Sequence, residues 1–92
     1  MNQTLRILIV DDDEVDRMAV RRALKVDGLS LKISEAGDCA TAIAKVDQQP
    51  FDCIFVDYRL PDSDGLALVK QFRSQGLKIP LIALTGQGDD QI

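Results

Sequence analysis

Acidic side chains stand directly after apolar runs in this sequence, and they are its best candidates for chemistry. The clearest case is Asp57, which follows the four consecutive apolar residues 53–56. Because no polar residue interrupts the run, both faces of this strand are expected to be buried, as in a central parallel strand. Open α/β sheets bind ligands at the carboxyl ends of such strands, so Asp57 is a candidate for metal or phosphoryl chemistry. The alternative is a structural aspartate that caps the next loop.

An acidic pair and a hydroxyl follow two other apolar runs. Asp11 and Asp12 come after residues 7–10, and Thr85 comes after residues 81–84. In one parallel sheet, these strand ends surround a single pocket with three carboxylates and a hydroxyl. Like charges at close range repel, and a hard cation with oxygen ligands, such as Mg²⁺, relieves that repulsion. The competing interpretation is that the first acids only cap a helix, but acids at two strand ends favour the metal-phosphoryl site.

Seven patterned segments are needed to position these residues. Strands are predicted at 6–10, 29–34, 53–57 and 80–85, and helices at 14–26, 39–48 and 65–75. Unbroken apolar runs place the first, third and fourth strands centrally, whereas Leu29, Leu31 and Ile33 alternate with polar residues as in an edge strand. The predicted fold is therefore α/β, a flavodoxin-like doubly wound parallel sheet with strand order 2-1-3-4.

Apolar spacing assigns a buried face to each helix. The residues expected to face inward are Val15, Met18, Ala19, Ala23 and Val26 in the first helix, Ala40, Ile43, Ala44 and Val46 in the second, and Leu68, Val69 and Phe72 in the third. Arg17 is expected on another face. The predicted helix boundaries are N-caps at Asp13 and Asp38, a cap of the third helix from Asp62 and Asp64, and C-terminal glycines at Gly28 and Gly76.

Composition excludes several classes of function. The chain has 92 residues, a net charge of −4 and no run of basic residues, which argues against nucleic-acid or anionic-membrane binding by this segment. No apolar run has the length of a transmembrane helix. Cys39 and Cys53 lie within apolar patterns and are expected to be reduced, as in a cytoplasmic protein. The absence of histidine excludes a histidine base or metal ligand within the chain.

Taken together, the motifs resemble the receiver domain of two-component response regulators. The matching segments are residues 9–12, 56–65 and 84–86. The resemblance implies that Asp57 accepts a phosphoryl group from a phosphohistidine of a sensor histidine kinase or histidine phosphotransfer protein. It also implies a Mg²⁺ site formed by Asp11, Asp12, Asp57 and the backbone carbonyl of Arg59, and a switch in which Thr85 contacts the phosphoryl group. Such a domain assists its own phosphotransfer and is not otherwise an enzyme.

The sequence departs from this family after its fourth strand. Receivers carry a phosphate-contacting lysine and an aromatic residue on a fifth strand, and neither is found here. We therefore expect residues 1–92 to form an incomplete receiver domain that ends after the fourth strand. The fourth strand is too apolar for an exposed edge, so the chain is expected to form a homodimer or otherwise self-associate through it.

Two other functions compete with phosphotransfer. The first is a phosphorylation-independent interaction fragment, or a domain-swapped one, that uses the receiver scaffold. The second is a nucleotide-binding enzyme in which residues 51–57 form a Walker-B-like strand. The second is disfavoured because no phosphate-binding G-x-x-x-x-G-K-[ST] loop is present.

Overall fold

Strands and helices alternate along the chain in the computed structural model, which describes residues 4–25 and 28–84. The strands are β1 (Thr4–Val10), β2 (Ser30–Ala36), β3 (Cys53–Asp57) and β4 (Leu81–Leu84). The helices are α1 (Glu14–Ala23), α2 (Cys39–Gln48) and α3 (Gly65–Ser74). All seven predicted elements are present. The ends of α1, at Ala23, and of β2, at Ala36, differ from the predicted ends by two or three residues.

The four strands form one parallel sheet in the order β2-β1-β3-β4, which confirms the predicted order. Val10 at the end of β1 is level with Ala36 on β2 and with Val56 on β3. The carboxyl ends of these strands therefore meet at one edge of the sheet. Residues that directly follow β1 become neighbours of the last residue of β3 because of this register.

The main core lies between one face of the sheet and the helices α2 and α3. Its buried residues are Leu8, Val10, Ala36, Cys39, Ala42, Phe51, Ile54, Val56, Leu68 and Phe72. Ile7 and Ile9 are also buried, and they point to the opposite face, where a right-handed crossover places α1. Burial of each large apolar side chain contributes roughly 1.5–3 kcal/mol, so the central strands carry much of the stability.

The buried face of α1 differs from the predicted one. Val15 is 70% exposed and Met18 47% exposed, and no residue of α1 is fully buried. Arg17, which was expected to point elsewhere, is instead only 18% exposed, and Val20 is half-buried beside it. The prediction counted apolar residues alone and so missed an inward arginine whose hydrogen-bond partners come from other segments.

The buried face of α2 is also shifted from the prediction. Ile43 and Val46 pack against the core as predicted, but Ala40 and Ala44 are exposed. Cys39 and Ala42 are buried in their place. Alanine is a weak indicator of a helix face because its side chain is small. In α3, by contrast, Leu68 and Phe72 are buried and Val69 packs against the core, as predicted.

Aspartates cap all three helices. Asp13 accepts a hydrogen bond from the amide of Val15, Asp38 from Thr41, and Asp64 from Ala67, at 2.7–2.9 Å. These caps confirm the predictions for Asp13, Asp38 and Asp64. Gly28 and Gly76 have φ angles of +88° and +91°, a conformation that suits glycine after a helix.

Asp62 caps a different helix from the one predicted. Its two carboxylate oxygens accept hydrogen bonds from the amides of Cys39, at 2.9 Å, and Ala40, at 3.1 Å, at the start of α2. These hydrogen bonds, led by the Cys39 amide, hold the pKa of Asp62 below its ordinary value. The loop between β3 and α3 is thereby joined to the N-terminus of α2.

Each helix that the structure describes has ten residues. Within residues 4–25 and 28–84, no helix has both the length and the apolar character that crossing a bilayer requires.

Replacing Asp62 with alanine is expected to lower the free energy of unfolding, because two amides at the start of α2 lose their acceptor. Urea unfolding in the presence of a metal chelator measures this loss. Asp47→Ala is the matched control, since it removes the same charge from an exposed site in the last turn of α2. The control should change stability by less than about 0.5 kcal/mol. Equal losses in the two variants would contradict the role assigned to Asp62.

Candidate functional site: an acidic pocket at the ends of β1 and β3

The three predicted acids meet at the carboxyl edge of the sheet. Asp11 and Asp12 directly follow β1, and Asp57 is the last residue of β3. One carboxylate oxygen from each residue lies within 4.8 Å of the other two. Asp11 is buried, Asp57 is half-buried and Asp12 is exposed, so the pocket opens to solvent on one side.

Asp11 is fixed by hydrogen bonds to its backbone and its side chain. Its amide donates to the carbonyl of Ala36 on β2, at 2.9 Å. Its own carbonyl accepts from Nη1 of Arg17, at 2.6 Å, and its Oδ1 accepts from the amide of Asp13, at 2.9 Å. The loop between β1 and α1 therefore holds the carboxylate in one orientation.

Burial and repulsion by neighbouring acids make Asp11 and Asp57 hard to ionise. Asp11 is only 3% exposed, and burial raises its pKa to about 6, with the charges of Asp57, Asp16 and Asp12 acting in the same direction. Burial also raises the pKa of Asp57, again with repulsion from Asp12 and Asp16, although the amides of Arg59 and Tyr58 oppose this by donating hydrogen bonds. The negative charges thus carry an electrostatic cost that a bound cation removes.

The donor set suits a hard divalent cation. Its three candidate side chains supply carboxylate oxygen alone, the ligand type that Mg²⁺ and Mn²⁺ favour over sulfur and imidazole ligands. Three carboxylates in close proximity also provide the charge that such an ion requires. The residues present therefore fit a metal-binding pocket.

The loop after Asp57 folds back tightly onto β3. The amide of Gly65 donates to the carbonyl of Tyr58, at 2.8 Å, and Arg59 forms an isolated bridge with Asp64. A Cβ at Gly65 would lie 2.1 Å from the backbone oxygen of Asp57. The contribution of Gly65 is therefore close contact with the strand end that carries Asp57. The available signal in the sequence was a glycine at the junction of loop and helix, since glycine permits a close approach of another backbone.

Two further residues, Arg59 and Thr85, were predicted to belong to the site. The Arg59 side chain is exposed, and a role for its carbonyl in metal binding stays a prediction. Thr85 lies outside the described residues, so its predicted contact with a phosphoryl group also stays a prediction. Arg17 was not among the predicted site residues, because nothing local in the sequence connects it with Asp11.

The fold and the pocket together define a doubly wound α/β domain with an acidic pocket at its topological switch point. Residues 7–92 match the model of the response regulator receiver domain family. The chain belongs to this family, as the motif resemblance indicated.

Several relatives are similar over most of the chain. Response regulator MprA of Mycolicibacterium vanbaalenii is 35% identical over 83 residues, which cover 90% of this chain and 35% of MprA. Two-component response regulator ORR41 of Oryza sativa subsp. japonica is 30% identical over 86 residues, which cover 91% of this chain and 68% of ORR41. The Mn²⁺-bound form of response regulator Rcp1 is 27% identical, with a TM-score of 0.78 and coverage of 94% of this chain and 69% of Rcp1. The chain thus spans about a third of the length of MprA.

Gly65→Ala should destabilise the fold by about 1–3 kcal/mol, because the new methyl group forces α3 away from the end of β3. Thermal unfolding at equal protein concentration tests this. Gly37→Ala serves as the control, since a Cβ there would meet only Nη1 of Arg17, at an ordinary 3.8 Å. A Gly65→Ala protein as stable as Gly37→Ala would show that the close contact with Asp57 does not constrain the loop.

Without divalent ions, stability should fall as the pH rises from about 4.5 to 7. The folded state holds a proton on Asp11 up to about pH 6, whereas the unfolded chain releases it near pH 4, so rising pH favours unfolding across this window. Asp11→Asn keeps the Oδ1 acceptor for the Asp13 amide and removes the charge. It should be more stable than the wild type at pH 7, by at most about 3 kcal/mol, and the difference should shrink to about 1 kcal/mol at pH 4.5. Urea titrations at both pH values measure the difference, and a constant difference would contradict the raised pKa.

Proposed function

We propose that this chain is a phosphoacceptor module that receives a phosphoryl group on Asp57 from a phosphohistidine. The pocket of three carboxylates at the ends of β1 and β3 is the observation that carries the proposal. Membership in the receiver family supports it, because receiver domains of response regulators interact with histidine kinases or phosphotransfer proteins. The donor is therefore a sensor histidine kinase or a histidine phosphotransfer protein.

The chemistry requires a nucleophile and charge neutralisation, with little covalent help from other groups. A carboxylate oxygen of Asp57 attacks phosphorus, a P–O bond forms, and the P–N bond of the phosphohistidine breaks. The electron pair of that bond returns to the imidazole nitrogen, which takes a proton from solvent. A carboxylate is a competent nucleophile without a base, so the absence of histidine from this chain is compatible with the reaction.

Asp11, Asp12 and Asp57, together with the carbonyl of Arg59, would hold a divalent ion, which we propose to be Mg²⁺. When bound, the ion neutralises the carboxylates and the charge on the transferring phosphoryl oxygens. The amides of Tyr58 and Arg59 orient the Asp57 carboxylate, and the amide of Asp13 orients that of Asp11. The protein's own groups thus bring the nucleophile to the pocket and fix the acid pair beside it.

This proposal makes the chain a signalling phosphoprotein that assists its own modification, without a separate substrate to turn over. We also propose a cytoplasmic location, which the family membership and the reduced state proposed for Cys39 and Cys53 support. We propose no direct contact of this segment with nucleic acid or membrane, in keeping with its net charge of −4.

Phosphoramidate contains a P–N bond and can replace the protein donor in a direct test. With Mg²⁺, the wild type should gain the mass of one phosphoryl group, and Asp57→Asn should gain none. Asp12→Ala should react much more slowly, whereas Asp47→Asn, an exposed acid on α2, should react like the wild type. Intact-mass spectrometry measures all four proteins.

An unmodified wild type with a well-formed fold would instead favour the phosphorylation-independent interaction fragment. A wild type and Asp57→Asn protein modified to equal extent would show that the acceptor is another residue.

We further propose that two copies of the chain associate through β4. In the described part of the sheet β4 pairs with β3 alone, and Ile82 on it is 42% exposed. An uncovered apolar edge is a template for another strand, and a two-fold dimer presents the same edge from both copies.

Sedimentation across a concentration series should therefore show a species larger than the monomer that dissociates on dilution. Circular dichroism at each concentration checks that the monomer is folded. A folded monomer that persists at every concentration would contradict association through β4.

A further inference from the structure

Arg17 connects three segments of the protein at the rear of the acidic pocket. Its Nη1 donates to the Asp11 carbonyl, at 2.6 Å, and its Nε donates to Oε1 of Glu35, at 2.7 Å. Asp11 follows β1, Glu35 lies on β2, and Arg17 itself lies on α1. A planar guanidinium makes both contacts at once because Nε and Nη1 are separate donors in a rigid fork, whereas the donors of a lysine ammonium all lie on one nitrogen.

The hydrogen bond from Arg17 holds the carbonyl of the peptide that follows Asp11. The amide of Asp11 is held by Ala36 and its carboxylate by the amide of Asp13, so Arg17 supplies the remaining anchor at the carbonyl. The carbonyl belongs to the peptide that joins Asp11 to Asp12. A rotation of this peptide would move both acids of the pair relative to Asp57.

The charge of Arg17 is balanced locally. Glu35 faces it directly and also accepts a hydrogen bond from Nη1 of Arg21, the next basic residue along α1. An uncompensated cation near the pocket would repel a divalent ion, so charge alone predicts that removing Arg17 strengthens metal binding. A positioning role predicts instead that removing Arg17 weakens metal binding.

We propose that Arg17 is a positioning residue of the metal pocket, which sets the orientation of Asp11 and Asp12 by holding the carbonyl between them. The inference rests on the proposed function, because it requires that the pocket binds a divalent ion. Arg17 acts through Asp11 and contacts neither the ion nor the phosphoryl group.

Arg21 provides a matched control, because it is the same residue type on the same helix and binds the same glutamate. Arg17→Ala and Arg21→Ala each remove one positive charge and one partner of Glu35, but only the first frees the Asp11 carbonyl. Mn²⁺ affinity is measured by the EPR signal of free Mn²⁺ during titration of the 92-residue protein. Arg17→Ala should bind at least about tenfold more weakly than the wild type. Arg17→Lys should recover part of the loss, and Arg21→Ala should bind no more weakly than the wild type.

The outcomes separate the positioning role from the proposed function. A wild type that fails to bind Mn²⁺ would contradict the metal site itself and this inference with it. A wild type that binds, with Arg17→Ala binding equally or more tightly, would overturn the positioning role alone. Circular dichroism at the titration temperature checks folding. If Arg17→Ala is unfolded, Arg17→Met decides, because methionine keeps a long apolar side chain but cannot donate to the Asp11 carbonyl. Wild-type affinity in that variant would overturn the role.

Discussion

Repulsion among three carboxylates is the constraint around which this domain is arranged. Oxygens of Asp11, Asp12 and Asp57 lie within 4.8 Å of one another, a placement that costs free energy unless a cation joins them. The rest of the fold keeps the three carboxylates close together. Parallel pairing of β1 with β3 places the acids that follow β1 next to Asp57 at the end of β3. The buried residues of both strands keep these strand ends together.

Polar contacts in the loops hold the pocket in place, in addition to the packing of the apolar core. Asp62 joins the β3–α3 loop to α2, Gly65 lets that loop lie against Asp57, and Arg17 ties the β1–α1 loop to β2. Each contact connects the pocket to a different element. The pocket is consequently held from several sides. Binding of a cation therefore has little entropic cost from ordering the acids.

The sequence was sufficient for the sheet and for the acidic pocket, because both follow from where apolar runs end. Unbroken runs predicted β1 and β3, and the aspartates that follow them met as expected. Helix faces were predicted less well. Val15 and Met18 are exposed while Arg17 turns inward, since its acceptors at Asp11 and Glu35 are brought near only by the fold. Asp62 was assigned to the wrong helix for the same reason: its partner, α2, is distant in sequence.

The central claim is that these acids form one divalent-metal pocket, and paramagnetic broadening tests it most directly. Substoichiometric Mn²⁺ added to ¹⁵N-labelled protein should broaden the amide signals of residues 11–13 and 57–59 first. Signals from the far end of the sheet, around Gly76, should remain sharp, and excess Mg²⁺ should restore the broadened ones. Broadening spread evenly over the exposed acids, or unaffected by Mg²⁺, would contradict the account.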